Sequence, residues 1–357
     1  MAEKMKAQVF YEPLDMKLEE RDIPKPADDQ VLARVKACSI CGSDISYYWG
    51  DSSLETPDGK GPLILGHEFT GEVIEVGAIP AKLGIFEPGD RVVFDPVQYC
   101  NACEICKRGQ VNLCENKTVL GVSADGGFAE YCVSHYTGLH KLPDNVSYKQ
   151  GALTEPLACA TYALQNAQVN PGDFAVIIGP GAIGMMMAQL VKSSGAGTVV
   201  LVGTRDYRLE IGKELGVDEI INTKESSSPY YADLKEKIGD MTDGKFADVV
   251  LTPTGAISAM EQAFDISGRR SRIVFFGLPG DKDVVRVPAL DTIIWDKSIQ
   301  FSWLAPFTWP TALQALSTGL LNVDPLITHE IKLDDLVQGL QDVKDRKDNA
   351  MKAVVMI

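Results

Sequence analysis

No stretch of the 357 residues stays apolar for long enough to span a bilayer. Basic runs are also missing. Thirty-four Lys and Arg face 49 Asp and Glu, and the net charge is -15, which argues against nucleic acid and anionic membranes as partners. The first residues, Met1 to Lys6, carry no apolar segment of the signal-peptide kind, so a cytoplasmic protein is expected. Eight cysteines are too few for a disulfide framework in so long a chain. Internal repeats and low-complexity segments are lacking. Four cysteines crowd between 100 and 114, and in a reducing compartment such crowding suggests a metal.

What is present is organised around one stretch. Phe174 to Ile178 is a short apolar run that predicts a buried parallel strand. It ends in Gly179-x-Gly181-x-x-Gly184, and an apolar helical run follows from Ala182 to Val191. Strand, glycine turn and helix in that order form a dinucleotide-binding fingerprint. Gly179 allows the turn, Gly181 lets the backbone approach a pyrophosphate, and Gly184 lets the helix sit close to the strand. Gly181, Ala182 and Ile183 open the helix whose free N–H groups would face the phosphates.

Before this stretch the pattern is β-rich. Residues 6–11, 30–37, 70–76 and 90–94 read as strands, and Pro88-Gly89 marks a turn. Leu157 to Gln168 reads as a helix with Pro156 at its first position. After 174, strands at 198–202, 219–221, 247–251 and 271–276 alternate with helices at 207–215 and 257–267. That alternation predicts a doubly wound parallel sheet of the Rossmann kind. A Trp/Phe/Pro-rich stretch, Phe301 to Pro310, precedes a helix at 333–345 and a last strand at 352–357. Three segments are therefore expected. They are a catalytic domain at 1–156 with a metal lobe at 96–116, a nucleotide domain at 157–299, and a segment at 300–357 rejoining the first.

Cys100, Cys103 and Cys106, with Cys114, give two consecutive Cys-x-x-Cys spacings and a fourth thiol. Four thiolates suit one tetrahedral structural zinc. An iron–sulfur cluster uses the same donors, and four unliganded thiols are the plain alternative. A second set is dispersed over Cys41-Gly42-Ser43-Asp44, Gly66-His67-Glu68 and Glu155-Pro156. A thiolate, an imidazole and a carboxylate can hold a zinc and leave a position open. Taken singly, Cys41, His67 and Glu155 also fit a buried thiol, a core histidine and a helix-start carboxylate.

The order of these motifs resembles the zinc-dependent medium-chain dehydrogenase/reductase family, in particular its sorbitol (polyol) and threonine dehydrogenase branch. The resemblance also runs through Gly71-x-Val73-x-x-Val76-Gly77, Pro88-Gly89-Asp90-Arg91-Val92, Asp125 to Tyr131 and Leu153 to Ala158. It implies a GroES-like β-barrel catalytic domain beside the Rossmann domain. It implies that Cys41, His67 and Glu155 hold a catalytic zinc, with Glu68 beside it, and that Cys100, Cys103, Cys106 and Cys114 hold a structural one. Zinc would act as a Lewis acid on an alcohol or ketone oxygen while hydride passes to or from a nicotinamide ring. Ser43 stands where the family places a proton-relay Ser or Thr. Many relatives carry a histidine three residues further on, whereas this chain has Ser46. A homodimer or homotetramer, joined at the edges of Rossmann sheets, is implied as well.

NAD-specific members end the second Rossmann strand with an acidic residue. Here that position is Gly203, followed by Thr204 and Arg205, with Arg208 one turn on. Loss of the carboxylate and gain of cations favour a 2′-phosphate, hence NADP. The alternative is NAD, with Asp206 reaching back to the ribose. Tyr47, Trp49 and Trp303 are candidates for the substrate pocket, with core packing as their other explanation. Ser302-Trp303 replaces an Arg-Tyr pair that polyol dehydrogenases use, and two residues are inserted before Thr308. The expected reaction interconverts a secondary alcohol or polyol and its ketone with NADP(H). An NAD-dependent polyol, sugar-phosphate or L-threonine dehydrogenase is the alternative.

Overall fold

The computed structural model describes residues 3–357. The chain divides into two compact units. The first comprises the chain up to Pro156 with Trp309–Ser317 and Val323–Ile357, and the second comprises Leu157–Thr308 and Thr318–Asn322. The segment from 300 therefore does not join the first unit whole, because 300–308 and 318–322 stay with the second.

The first unit is built on a seven-stranded sheet. Its strands run in the order Leu139–Lys141, Arg91–Phe94, Glu68–Val76, Gln30–Ser39, Lys352–Met356 and Ile327–Lys332, with Tyr131–His135 also pairing to Gln30–Ser39. A three-stranded sheet of Asp15–Asp22, Lys4–Glu12 and Leu63–Ile64 accompanies it. Val31, Ala33, Val35 and Ala37 are fully buried, as their alternation with Arg34 and Lys36 predicts. Phe10, Phe69, Phe94 and Phe128 fill the core, and the Phe69 and Phe94 rings stack at 4.1 Å.

Register in this sheet brings distant residues together. Ser39 lies opposite both Glu68 and Val354 on its two neighbouring strands. The Ile40 N–H donates to the Ala353 carbonyl at 2.9 Å. The end of one strand, the start of a second and the start of a third thus converge beside Cys41.

The second unit carries a six-stranded parallel sheet. Its order is Glu219–Asn222, Thr198–Gly203, Phe174–Ile178, Ala247–Thr252, Ser267–Phe275 and Ser298–Phe301. That is the doubly wound order, with the first strand at the switch point. The helix after the glycine turn spans Ala182–Ser193, and Met185, Met186 and Met187 are buried in it. The helix expected at 157–168 starts earlier, at Thr154, and closes at Ala167 because Gln168 turns to φ 46°. No helix among the described residues is long and apolar enough to cross a membrane.

Gly184 shows why the turn needs its third glycine. A Cβ there would lie 1.9 Å from the Gly179 carbonyl oxygen. In an open helix, Gly→Ala stabilises by about 1 kcal/mol. At this site the expected sign is opposite. Gly184→Ala should destabilise by about 1–3 kcal/mol, the cost of overpacking, as read from the denaturant midpoint. A rise in the midpoint would contradict the close approach.

Candidate active site

The site grows from one short helix. Gly42–Trp49 is capped by Cys41, and the Asp44 carboxylate receives the Cys41 N–H at 2.8 Å. Its other oxygen accepts the Gly66 N–H at 3.3 Å and lies 3.5 Å from Nδ1 of His67. Asp44 is fully buried, so each of these interactions acts in a poorly solvated setting. One carboxylate thereby ties the Cys41 loop to the segment Gly66–His67 that leads into the strand Glu68–Val76.

The donor atoms of Cys41, His67 and Glu68 lie within 4.8 Å of one another. Nδ1 of His67 is buried and makes no hydrogen bond. Ser43 Oγ stands 3.4 Å from Nε2 of the same ring. Burial alone would lower the His67 pKa, but the charges of Asp44 and Cys41 outweigh it and raise the ring well above its ordinary value. A thiol, an imidazole and a carboxylate are a donor set that suits zinc.

Glu68 has a second partner. Lys352 Nζ donates to its Oε1 at 2.6 Å, contacts Oε2 as well, and reaches the Ile40 carbonyl at 3.2 Å. Both side chains are buried. Burial would lower the Lys352 pKa, yet Glu68 and then Cys41 raise it above the usual lysine value, with Glu155 adding to them. Glu155 is half-buried in the first turn of its helix, and its carboxylate stands outside the 4.8 Å set. Its charge also acts on Asp95, whose carboxyl is pushed up to about 8, chiefly by burial.

Tyr47 lies where the charge of His67 reaches it, and burial raises its hydroxyl to about 12. Trp49 has one ring face covered by Lys344, whose Nζ is 4.0 Å from the centroid, and it meets Tyr48 edge-on. Trp303 belongs to the second unit and is 40% exposed. Ser46 donates its hydroxyl to the Gly42 carbonyl at 3.2 Å. His140 is stacked on Trp309 and lowered to about 4 by burial, which makes it a neutral packing residue.

The four-cysteine lobe is closed. Cys100, Cys103, Cys106 and Cys114 have their sulfurs within 4.8 Å of one another, with 3.6 Å between Cys114 and Cys100 and 4.0 Å between Cys103 and Cys114. A tetrahedron with Zn–S bonds of about 2.3 Å has sulfurs about 3.8 Å apart. Backbone N–H groups of Ala102 and Cys103 draw the Cys100 thiol down to about 6. All eight cysteines are free of disulfides.

In the second unit Gly179 turns the chain with φ 131°, and Gly181 caps the helix that Ala182, Ile183 and Gly184 begin. No neighbouring atom comes within 4 Å of a Cβ built on Gly181, so that face is open for a ligand. Gly203 ends the second strand, Thr204 is exposed, and Arg205 caps the next helix. Arg208 lies along the Tyr207 ring, with Nε donating to the Tyr207 hydroxyl at 2.9 Å. Asp206 is turned away, since its Oδ1 accepts from Asn222 at 2.6 Å and from Ser228 at 2.8 Å.

Comparison with known proteins agrees with this geometry. Residues 27–144 match the alcohol dehydrogenase GroES-like domain, and residues 182–318 match the zinc-binding dehydrogenase family. A sorbitol dehydrogenase of Halalkalibacterium halodurans is 34% identical over 92% of both chains. The chain belongs to the zinc-type medium-chain dehydrogenase/reductase family. A zinc-binding dehydrogenase from Sinorhizobium meliloti solved with NADP is similar at TM-score 0.90 and 27% identity, covering 99% of this chain and 100% of that one. An Escherichia coli alcohol dehydrogenase solved with NADH is similar at TM-score 0.89 and 29% identity, covering 99% of each chain.

In this zinc-type dehydrogenase, the sequence motifs did not reveal what Asp44 and Lys352 do. Asp44 lay inside a recognised motif without a role. Lys352 gave one signal only, a cation opening an otherwise apolar strand. Removing it should expose the stakes of a buried ion pair. In the metal-free protein Lys352→Met should cost about 3–5 kcal/mol, because Glu68 is left charged and unpaired. Pairing it with Glu68→Gln should recover most of that loss. Urea melts of the four proteins measure this, and a single-variant cost near zero would mean the pair is solvated.

Proposed function

We propose that the chain interconverts a secondary alcohol or polyol and its ketone, passing hydride to or from NADP(H). The observation that carries this reading is the cluster of Cys41, His67 and Glu68 donors in a chain that also has an open glycine turn. Cys41, His67 and Glu155 would hold the catalytic zinc, and Cys100, Cys103, Cys106 and Cys114 the structural one. When bound, the catalytic zinc supplies Lewis acidity that lets an alcohol lose its proton near neutral pH.

The chain's own residues do the remaining work. Asp44 positions Cys41 through the bond from the Cys41 N–H, and His67 through the bond from the neighbouring Gly66 N–H and through its own charge. Lys352 holds the charge of Glu68 and would compete with a bound metal for that carboxylate, leaving it beside the zinc. Ser43 Oγ takes the alcohol proton and hands it onward. Ser46 brings no imidazole to that path, so water or the cofactor ribose completes it, and the pH profile lacks a histidine step there. Tyr47 contributes a wall beside His67, with Trp49 on the same helix as a further pocket residue.

NADP is favoured because Gly203 lacks a carboxylate, Asp206 is bound to Asn222 and Ser228, and Thr204 and Arg205 stand at the strand end. The NADH-bound Escherichia coli relative keeps NAD as the second reading, with a polyol, a sugar phosphate or L-threonine as substrate. The test is a panel of secondary alcohols and ketones with each cofactor, using zinc-loaded protein that holds about two zinc per chain. Cys41→Ser should abolish turnover. Arg205→Ala should weaken NADP binding by about 10- to 100-fold and leave NAD binding unchanged. Preference of the unaltered protein for NAD would overturn the cofactor assignment.

A cytoplasmic homodimer or homotetramer fits a chain whose cysteines form no disulfide and the apolar edge of the second unit. Ser298–Phe301 is an edge strand, and Leu290, Ile293 and Phe301 are each 74% exposed. Isolated residues of this size are ordinary, but exposed apolar side chains on an edge strand and on the helix that precedes it suit docking of a second copy. Sedimentation at micromolar concentration should give a dimer or tetramer, and Phe301→Lys should release monomers. A monomeric unaltered protein would rule this out.

A further inference from the structure

Gly203 has no special backbone. Its φ lies outside the left-handed range, so any residue could adopt its conformation. Space is what excludes a side chain. A Cβ on Gly203 would lie 2.4 Å from Cγ and 2.7 Å from Cδ of Pro180, and 3.3 Å from Cδ2 of Leu209. Neither obstacle can move easily. Pro180 is a rigid ring inside the glycine turn, and the Gly179 N–H beside it donates to the Val202 carbonyl at 2.9 Å. Leu209 is fully buried. The Gly203 backbone is pinned in turn, because its carbonyl accepts the Thr223 N–H at 2.9 Å and it pairs in register with Asn222.

The strand end is where a carboxylate would reach ribose hydroxyls. Its side-chain space is occupied from the facing turn. The next carboxylate along the chain, Asp206, is held by Asn222 and Ser228. Thr204 and Arg205 are left as the side chains at that end of the strand.

We propose that Pro180 is a specificity-determining positioning residue for the cofactor. By filling the space of any side chain at 203, it keeps the strand end free of a carboxylate, and so leaves room for a 2′-phosphate. The inference rests on the reading of the glycine turn as a dinucleotide site. Cofactor choice is then set by the pair Pro180–Gly203, and an acidic residue at 203 works only after position 180 has been cleared.

The test compares the zinc-loaded full chain with Pro180→Ala, Gly203→Asp and the double variant. NADPH and NADH binding are followed by nicotinamide fluorescence, and stability by thermal melts. Gly203→Asp alone should lower Tm and weaken both dinucleotides by about tenfold or more, since the turn is pushed aside. In the double variant Tm should recover and NADH should bind about tenfold more tightly than in Gly203→Asp, while NADPH stays weak. This non-additivity is of the size expected for residues in contact. If Gly203→Asp alone gains NADH binding as fully as the double variant, the proposal is overturned. If Gly203→Asp does not fold, Gly203→Ala with and without Pro180→Ala reads the same coupling through Tm, and additive changes there overturn it too. Preference of the unaltered protein for NADH would overturn the NADP assignment and, with it, the 2′-phosphate role given to Pro180, whereas additive effects at 180 and 203 in a protein that prefers NADPH would overturn the proposal alone. Failure of the unaltered protein to bind either dinucleotide would remove the underlying reading and the proposal with it.

Discussion

The buried carboxylate of Asp44 is the constraint on which the rest of the candidate site depends. It takes one N–H from the residue that caps its own helix and another from the glycine before His67. Two segments far apart in sequence are thereby locked at one point, and the donors of Cys41 and His67 meet as a result. In a poorly solvated interior such charge-assisted bonds are strong, and an unpaired carboxylate there would be costly. The same charge raises the proton affinity of His67. A cation taken up by the cluster would compete with that proton.

The second unit depends on steric closeness rather than charge. Its turn brings a carbonyl within 1.9 Å of where a Cβ on Gly184 would stand, and brings a proline ring against Gly203. Both contacts are between parts of one local unit, strand to turn to helix and strand to neighbouring strand. They fix the backbone amides at the helix start and leave the face over Gly181 open. An anion-binding surface made this way needs no side-chain donor of its own.

Much of the fold was legible because it is written in local pattern. Phe174–Ile178 is the strand that the apolar run and the following glycines define, and the doubly wound order follows from strand–helix alternation. The crowding of Cys100, Cys103, Cys106 and Cys114 is visible in spacing alone, since a metal knuckle is a local structure. Other features were not legible. Asp15–Asp22 is mostly charged and half-exposed at a sheet edge, so it carries no clear alternation. The helix Gly42–Trp49 is only about two turns long, too short to show a clear period, although Ile45, Tyr48 and Trp49 pack on the core and Asp44 anchors its start. The segment after 300 passes between units more than once, which no composition shift marks. The family resemblance named Cys41, His67 and Glu155 as ligands with Glu68 beside them, and the donors grouped within 4.8 Å are those of Cys41, His67 and Glu68. The roles of Asp44 and Lys352 needed side-chain geometry, because a hydrogen-bond network has no period.

The pairing of Lys352 with Glu68 joins residues 284 positions apart. A contact of that span forms only after most of the intervening chain has been ordered, since loop closure must be met before the contact rewards it. Until the strand Lys352–Met356 docks beside Gln30–Ser39, the carboxylate next to the metal donors has no counter-cation. Maturation of the centre is therefore a late, whole-molecule event, and a partly folded chain would present a site of altered charge to any passing ion. The charge around the Cys41, His67 and Glu68 donors is thus set by the final topology and not by those three residues alone.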